Sequence, residues 1–241
     1  AGEASGDIHA ANLIRAIQTR EPNTTSFGFG GRRLADVGCT LIHPLAEEPV
    51  MGIVAGIMAI PHSLSLLSQT RDLMKQRRPD VVILVDNPGF NLALAKIASE
   101  MGIPTVYYIP PQLWAWAGWR VRKIQKYVNL VLCALPFEAT WFHEHHVPSA
   151  RYVGHPFFDD IASYRMDGMF LRGQSTRGRR VLLLPGSRVS EVRRNLPMMI
   201  QSAERIRKLV DEVQFDIAAL DGRIAGMVWD ELCATGFPAE V

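Results

Sequence analysis

Apolar positions along this chain follow two alternating rhythms: short continuous runs, and longer stretches in which apolar side chains return every three or four residues. The runs at 25–29, 81–85, 105–109, 130–135, 151–153, 181–184 and 214–219 are expected strands, bounded by turn residues. Helical spacing recurs between them. Ala10, Leu13, Ile14 and Ile17 share one face, as do Leu94, Ile97, Ala98 and Met101, and Leu196, Met199, Ile200 and Ala203. A further apolar helical stretch runs from 51 toward 75, and shorter helices are expected at 120–126 and 136–145. Strands and helices alternating at this spacing predict an α/β protein with parallel sheets. Residues 159–179, with Gly168, Gly173, Gly178 and clustered arginines, read as a linker. Two domains are therefore expected: residues 1–160, and an incomplete second domain, 161–241, holding one β-α-β unit. The first helix follows Ala1 so closely that the chain is expected to begin just after a first strand, which is missing.

Composition narrows the function classes. With 48% hydrophobic and 21% charged residues among 241, the chain has material for a sizeable core. Twenty-six basic residues against 24 acidic give a formal net charge of +2. Dedicated nucleic-acid binders carry a stronger basic excess, so no nucleic-acid partner is expected. Cys39, Cys133 and Cys233 are widely separated, without a C-x-x-C pair, which supports neither a disulfide framework nor a zinc knuckle. A reducing cytoplasm follows as the simplest location. No metal is expected: His143, Glu144, His145 and His146 have ligand-type side chains, but not the i, i+4 spacing of a helical zinc site.

Candidate chemistry lies where strands end and helices begin. Residues 182–191 read LLLPGSRVSE, an apolar strand ending in Pro185, Gly186, Ser187 and Arg188 ahead of a helix. Backbone N–H groups of such a turn, the positive end of the helix and a forked guanidinium together suit a phosphorylated ligand. Residues 79–91, PDVVILVDNPGFN, place Asp86 at the end of a buried-type strand, where open α/β sheets bind ligands. Asp86 is the leading catalytic candidate. A purely structural role for it would be to cap the next helix, for which Asn91 is better placed. At residues 1–7, AGEASGD, Ser5 and the two glycines suit a tight turn, Asp7 suits a helix cap and Glu3 remains a loop carboxylate. His155 suits a cleft role or a structural hydrogen bond equally. The glycines around Phe29 lack the rest of a dinucleotide fingerprint, and the basic run 177–180 reads as a solvated linker edge.

Taken together, GEASGD at 2–7, MGI at 51–53, VDNPGFN at 85–91, PPQLWAW at 110–116, LPFE at 135–138, VGHPFFD at 153–159 and LLPGSRVSEVRRNLP at 183–197 resemble the lipid-A-disaccharide synthase family. The ordered match spans nearly the whole chain. The resemblance implies a metal-independent, inverting glycosyltransferase of the GT-B type, with two Rossmann-like, doubly wound domains and no cofactor. It would join UDP-2,3-diacylglucosamine to 2,3-diacylglucosamine 1-phosphate in a β(1→6) link and release UDP. In that frame Asp86 is the base, Arg188 stabilises the diphosphate leaving group, and Glu3 is a second carboxylate for base or acceptor contact. Ser5, Gly6, Asp7, Asn91, Gly186, Ser187 and Glu191 are the implied substrate contacts.

Acylated substrates imply a membrane surface. Residues 51–60, MGIVAGIMAI, are apolar almost all round yet too short to span a bilayer. Met51, Ile53, Val54, Ile57 and Met58 are the expected lipid contacts, joined by Trp114 and Trp116, which lie near Trp119 and the basic residues 120–126. The alternative is a buried core helix and a loop anchored by tryptophans. The expected location is the cytoplasmic face of the bacterial inner membrane. Two other functions stay open: another UDP-sugar enzyme on this scaffold, such as a 2-epimerase, or a non-catalytic membrane-associating fragment. In the family pattern the uracil and ribose region lies beyond Val241, so the isolated chain is expected not to turn over.

Overall fold

The computed structural model describes residues 1–2, 4–44, 60–165, 168 and 178–241. They form two compact units, Ala1–Ser163 and Tyr164–Val241. In the first, the elements are α1 (Ala4–Arg20), β1 (Phe27–Phe29), α2 (Arg32–Asp36), β2 (Thr40–His43), α3 (Ile60–Arg77), β3 (Val82–Val85) and α4 (Pro88–Glu100). Then follow β4 (Thr105–Tyr108), α5 (Val121–Tyr127), β5 (Leu130–Cys133), α6 (Glu138–Glu144), β6 (Ala150–Tyr152) and α7 (Phe157–Ser163). The second unit holds β7 (Arg179–Leu183), α8 (Val189–Leu209), β8 (Val213–Ile217) and α9 (Gly222–Thr235).

Every strand pairing is parallel, in the orders β1-β2, β3-β4-β5-β6 and β7-β8. Parallel strands joined through helices are covered on both faces, which is why β3 and β5 are nearly continuous apolar runs. The main core of the first unit lies between the four-stranded sheet and its helices, with Leu84, Ala95, Tyr107, Ile124, Val131 and Phe142 all at 0–1% exposure. In the second unit, the α8 face keeps Val192, Leu196, Ile200 and Ala203 buried against Phe215, Ile217 and the α9 residues Ile224 and Val228. Each such Val, Leu, Ile or Phe side chain stabilises the fold by roughly 1.5–3 kcal/mol when removed from water. Residues of β1 and β3 line a cavity of about 390 Å³, Phe27, Phe29, Val82 and Ile83 among them, together with Ile14 and Met74.

Several expectations are corrected. Helix α1 begins at Ala4, so Ser5 and Gly6 lie in its first turn and not in a preceding loop. Asp7 caps a different helix: its carboxylate accepts the N–H groups of Gly31, Arg33 and Leu34 at 2.7, 3.0 and 3.3 Å, fixing the start of α2. Gly30 permits this approach, because a Cβ there would lie 2.9 Å from Asp7 Oδ1 and 2.3 Å from Leu34 Cδ1. The cap of α4 is Asn87, whose side chain accepts Phe90 N–H at 3.5 Å, and not Asn91. Helices α2, α7 and α9 and strand β2 were not expected; residues 157–163, placed partly in the linker, are α7. Arg180 is a cross-strand ion-pair residue, not a solvated edge. Its Nε donates to Asp216 at 2.8 Å, its Nη2 to Glu240 at 2.8 Å, and a second bond to Asp216 completes a fork.

Candidate functional site

The junction of β3 and α4 is a sharp elbow. Asp86 has φ +57° and Asn87 φ +38°, so two successive non-glycine residues are left-handed, a conformation Asp and Asn tolerate better than other types. Pro88 then starts α4, where its missing N–H is no loss. Asn91, from the first turn of α4, donates its amide to the carbonyls of Val85 (2.9 Å) and Asp86 (2.6 Å). Tyr107, opposite Leu84 in β4, donates its hydroxyl to the same Asp86 carbonyl at 2.7 Å.

The elbow delivers the Asp86 carboxylate to the first turn of α1. Ser5 Oγ donates to Asp86 Oδ2 at 3.5 Å, and the Gly6 backbone bonds the same carboxylate. Glycine allows this approach: a Cβ on Gly6 would stand 2.4 Å from Asp86 Oδ2 and force the carboxylate to shift. Gly2 allows a like approach, since its Cβ would stand 2.3 Å from Asn87 Nδ2. Burial pushes the Asp86 carboxyl above the ordinary aspartate range, against the opposing pull of the Ala1 amino group, Ser5 and Gly6. A half-buried carboxyl so raised can accept and release a proton nearer neutral pH.

In the second unit, β7 runs into Pro185 and Gly186, the latter at φ +125°. Glu191 closes this turn. Its Oε2 accepts the N–H groups of Ser187 (3.1 Å) and Arg188 (3.2 Å), and its Oε1 accepts Arg188 Nη1 at 2.8 Å. The Arg188 guanidinium and these N–H groups hold the Glu191 carboxyl below its usual range. Asn195 donates to the Pro185 carbonyl at 3.0 Å and fastens the turn to α8. The donors expected to receive an anion thus already hold one, a carboxylate from the same helix.

The remaining expected positions divide. Glu3, Met51, Ile53, Val54, Ile57 and Met58 lie outside the described residues. Trp114 donates its indole N–H to buried Glu138 at 3.2 Å and packs edge-on against Phe137. Trp116 and Trp119 are 57% and 65% exposed, with the Arg120 guanidinium 5.6 and 5.2 Å from their ring centroids. His155 makes a structural bond, its Nδ1 accepting Phe157 N–H at 3.2 Å, and its ring stacks on Phe157 beside His9. His143 and His145 bond the carbonyls of Ala150 and Trp141, both at 2.8 Å. No helix among the described residues is long and apolar enough to cross a membrane. Tyr107 escaped the sequence reading because an apolar-type residue inside a strand carries no motif; only the β3-β4 register brings it to Asp86.

Parallel sheets joined through helices, with an acidic elbow at a strand end, make this a Rossmann-like α/β protein whose neighbours among solved structures are of the GT-B type. Solved structures share this fold: the S. aureus MnaA–UDP co-structure, TM-score 0.65 at 9% identity, covering 98% of this chain and 65% of that one. The UDP-GlcNAc 2-epimerase from Neisseria meningitidis bound to UDP-GlcNAc gives 0.64 at 12% identity, covering 100% and 70%. At such identities the likeness extends to fold alone. Residues 1–229 match the lipid-A-disaccharide synthetase family, and the chain belongs to it. The lipid-A-disaccharide synthase of Myxococcus xanthus is 45% identical over 208 residues, 86% of this chain and 54% of the relative. That of Anaeromyxobacter sp. (strain K) is 41% identical over 220 residues, 89% and 56%. The chain spans about half the length of these relatives.

Proposed function

We propose that this chain is the part of a lipid-A-disaccharide synthase that carries the acceptor-activating carboxylate and the first phosphate-facing turn. The observation that carries the proposal is the Asp86 elbow, a raised carboxyl held at a strand end against the start of α1. Ionised Asp86 takes the proton of the acceptor 6-hydroxyl as that oxygen bonds to the anomeric carbon of UDP-2,3-diacylglucosamine. The bond from that carbon to the diphosphate breaks, UDP leaves with the electron pair, and the Arg188 guanidinium and the N–H groups of residues 187–188 stabilise the charge. Glu191 orders the turn until the diphosphate takes its donors. Asn91 serves by holding the elbow, while Ser5 and Gly6 bracket the carboxylate. Glu3 is kept as a second carboxylate on the family motif alone. No step uses a metal ion.

The two units are the proposed acceptor and donor domains, and β1 and β3, each the end strand of its sheet among the described residues, line a cavity that suits one further parallel strand. Trp116, Trp119 and Arg120 support peripheral contact with an anionic bilayer, on the cytoplasmic face where the acylated substrates would be met. Met51, Ile53, Val54, Ile57 and Met58 are proposed to join them on the apolar pattern of the sequence. The epimerase alternative rested on scaffold likeness and is disfavoured by the family match.

The test is a chimera in which residues 1–229 replace the matching part of the Myxococcus xanthus relative. It is expected to form disaccharide 1-phosphate and UDP, and to lose transfer in Asp86→Asn and in Arg188→Ala. Near-parent turnover in either variant removes that residue from its role. The isolated chain is expected to release no UDP, and steady release by it would reassign the donor site.

A further inference from the structure

The proposed base sits on backbone that is costly to keep. Left-handed conformations at non-glycine residues are strained, and persist where the surroundings over-determine them. Asp86 and Asn87 are both left-handed. One atom, the Asp86 carbonyl oxygen, receives two side-chain donors, Asn91 Nδ2 at 2.6 Å and the Tyr107 hydroxyl at 2.7 Å. Asn91 also ties the Val85 carbonyl at 2.9 Å, and its amide lies beside the Tyr107 hydroxyl on the same acceptor. Both are deeply buried, Tyr107 at 0% and Asn91 at 5% exposure, and both spend their donors on backbone carbonyls of the elbow. Across the elbow the carboxylate has little freedom, because Gly6 leaves it room for hydrogen only.

We infer that Tyr107 and Asn91 are positioning residues that lock the Asp86 elbow from beneath and so aim its carboxylate at the first turn of α1. The functional part of this inference rests on Asp86 being the base; the structural part does not. Tyr107→Phe removes one hydroxyl and keeps the ring in the core.

The first readout is the titration of the Asp86 carboxyl in this chain by carbon NMR, assigned with Asp86→Asn. The parent midpoint is expected above the ordinary aspartate range, and Tyr107→Phe is expected to bring it back toward that range with the circular dichroism spectrum unchanged. A tyrosine that only fills the core would leave the Asp86 midpoint where it was, and that result overturns the inference. A second readout needs no variant. The Tyr107 hydroxyl proton is expected as a slowly exchanging resonance with a cross-peak to the Asn91 amide, and a rapidly exchanging hydroxyl also overturns the lock.

In the chimera, Tyr107→Phe is expected to lower kcat on the order of tenfold or more with KM kept, as displacement of a catalytic group does. If Asp86→Asn retains activity while the titration shifts as expected, the base assignment fails and the lock stands.

Discussion

Asp86 joins burial and backbone strain in one side chain, and its ionisation therefore works against folding at neutral pH. The folded chain binds the Asp86 proton more tightly than the unfolded chain, because burial raises the carboxyl. The sign follows directly. The stabilising contribution is fully present below the unfolded aspartate pKa, about 3.9, and is lost as pH rises through the folded value. Asp86→Asn is expected to melt at a higher temperature than the parent at pH 7 and to lose that advantage at about pH 3. Equal melting differences at both pH values would contradict the raised carboxyl. Thiols offer a separate check. Burial pushes the Cys133 thiol up to about 12 and raises Cys39, whereas Cys233 is exposed. Iodoacetamide at pH 8 is expected to label Cys233 well ahead of the other two, since the thiolate is the nucleophile. Comparable labelling of Cys133 would argue against the packing of β5.

Among the elements, α2 depends on a residue far from it in sequence. Its first turn gives three N–H groups to Asp7 of α1, two of those bonds buried. Asp7→Ala leaves them unmet and is expected to destabilise the first unit by about 1–3 kcal/mol, measured by denaturant unfolding. Faster exchange of the Leu34 amide should accompany it. An unchanged midpoint with protected Leu34 would show that α2 is held by packing alone. Helix α2 left no mark in the apolar pattern, since a five-residue helix has too few turns to display a period. Longer elements were legible: α4 and α8 bury most of the apolar residues their spacing singled out, Leu94, Ile97, Ala98, Leu196, Ile200 and Ala203. Capping was misassigned at both ends of the site, because which N–H an Asp or Asn side chain reaches depends on chain segments not adjacent in sequence.

At the scale of the molecule, the exposed aromatic pair around Arg120 distinguishes two kinds of tryptophan. Trp116 and Trp119 present their rings outward, whereas Trp114 is tied to Glu138. In flotation with anionic liposomes, Trp116→Ala with Trp119→Ala is expected to reduce recovery with the vesicles severalfold, without lowering the melting temperature. Trp114→Ala is expected to do the reverse, lowering stability by taking the indole donor away from the buried Glu138 carboxylate. A parent chain that stays in the soluble fraction denies the membrane role.

Sequence alone determined the α/β class, the order of the long elements, the family and the two strand ends proposed here as the site. These rest on local information, namely the period of apolar residues and the run of turn residues that ends each strand. Only the tertiary structure decided what Asp7, Asn91, Tyr107 and Glu191 do. Each makes hydrogen bonds whose partner is chosen by how strands register and how helices begin, and that choice is made when distant segments pack together.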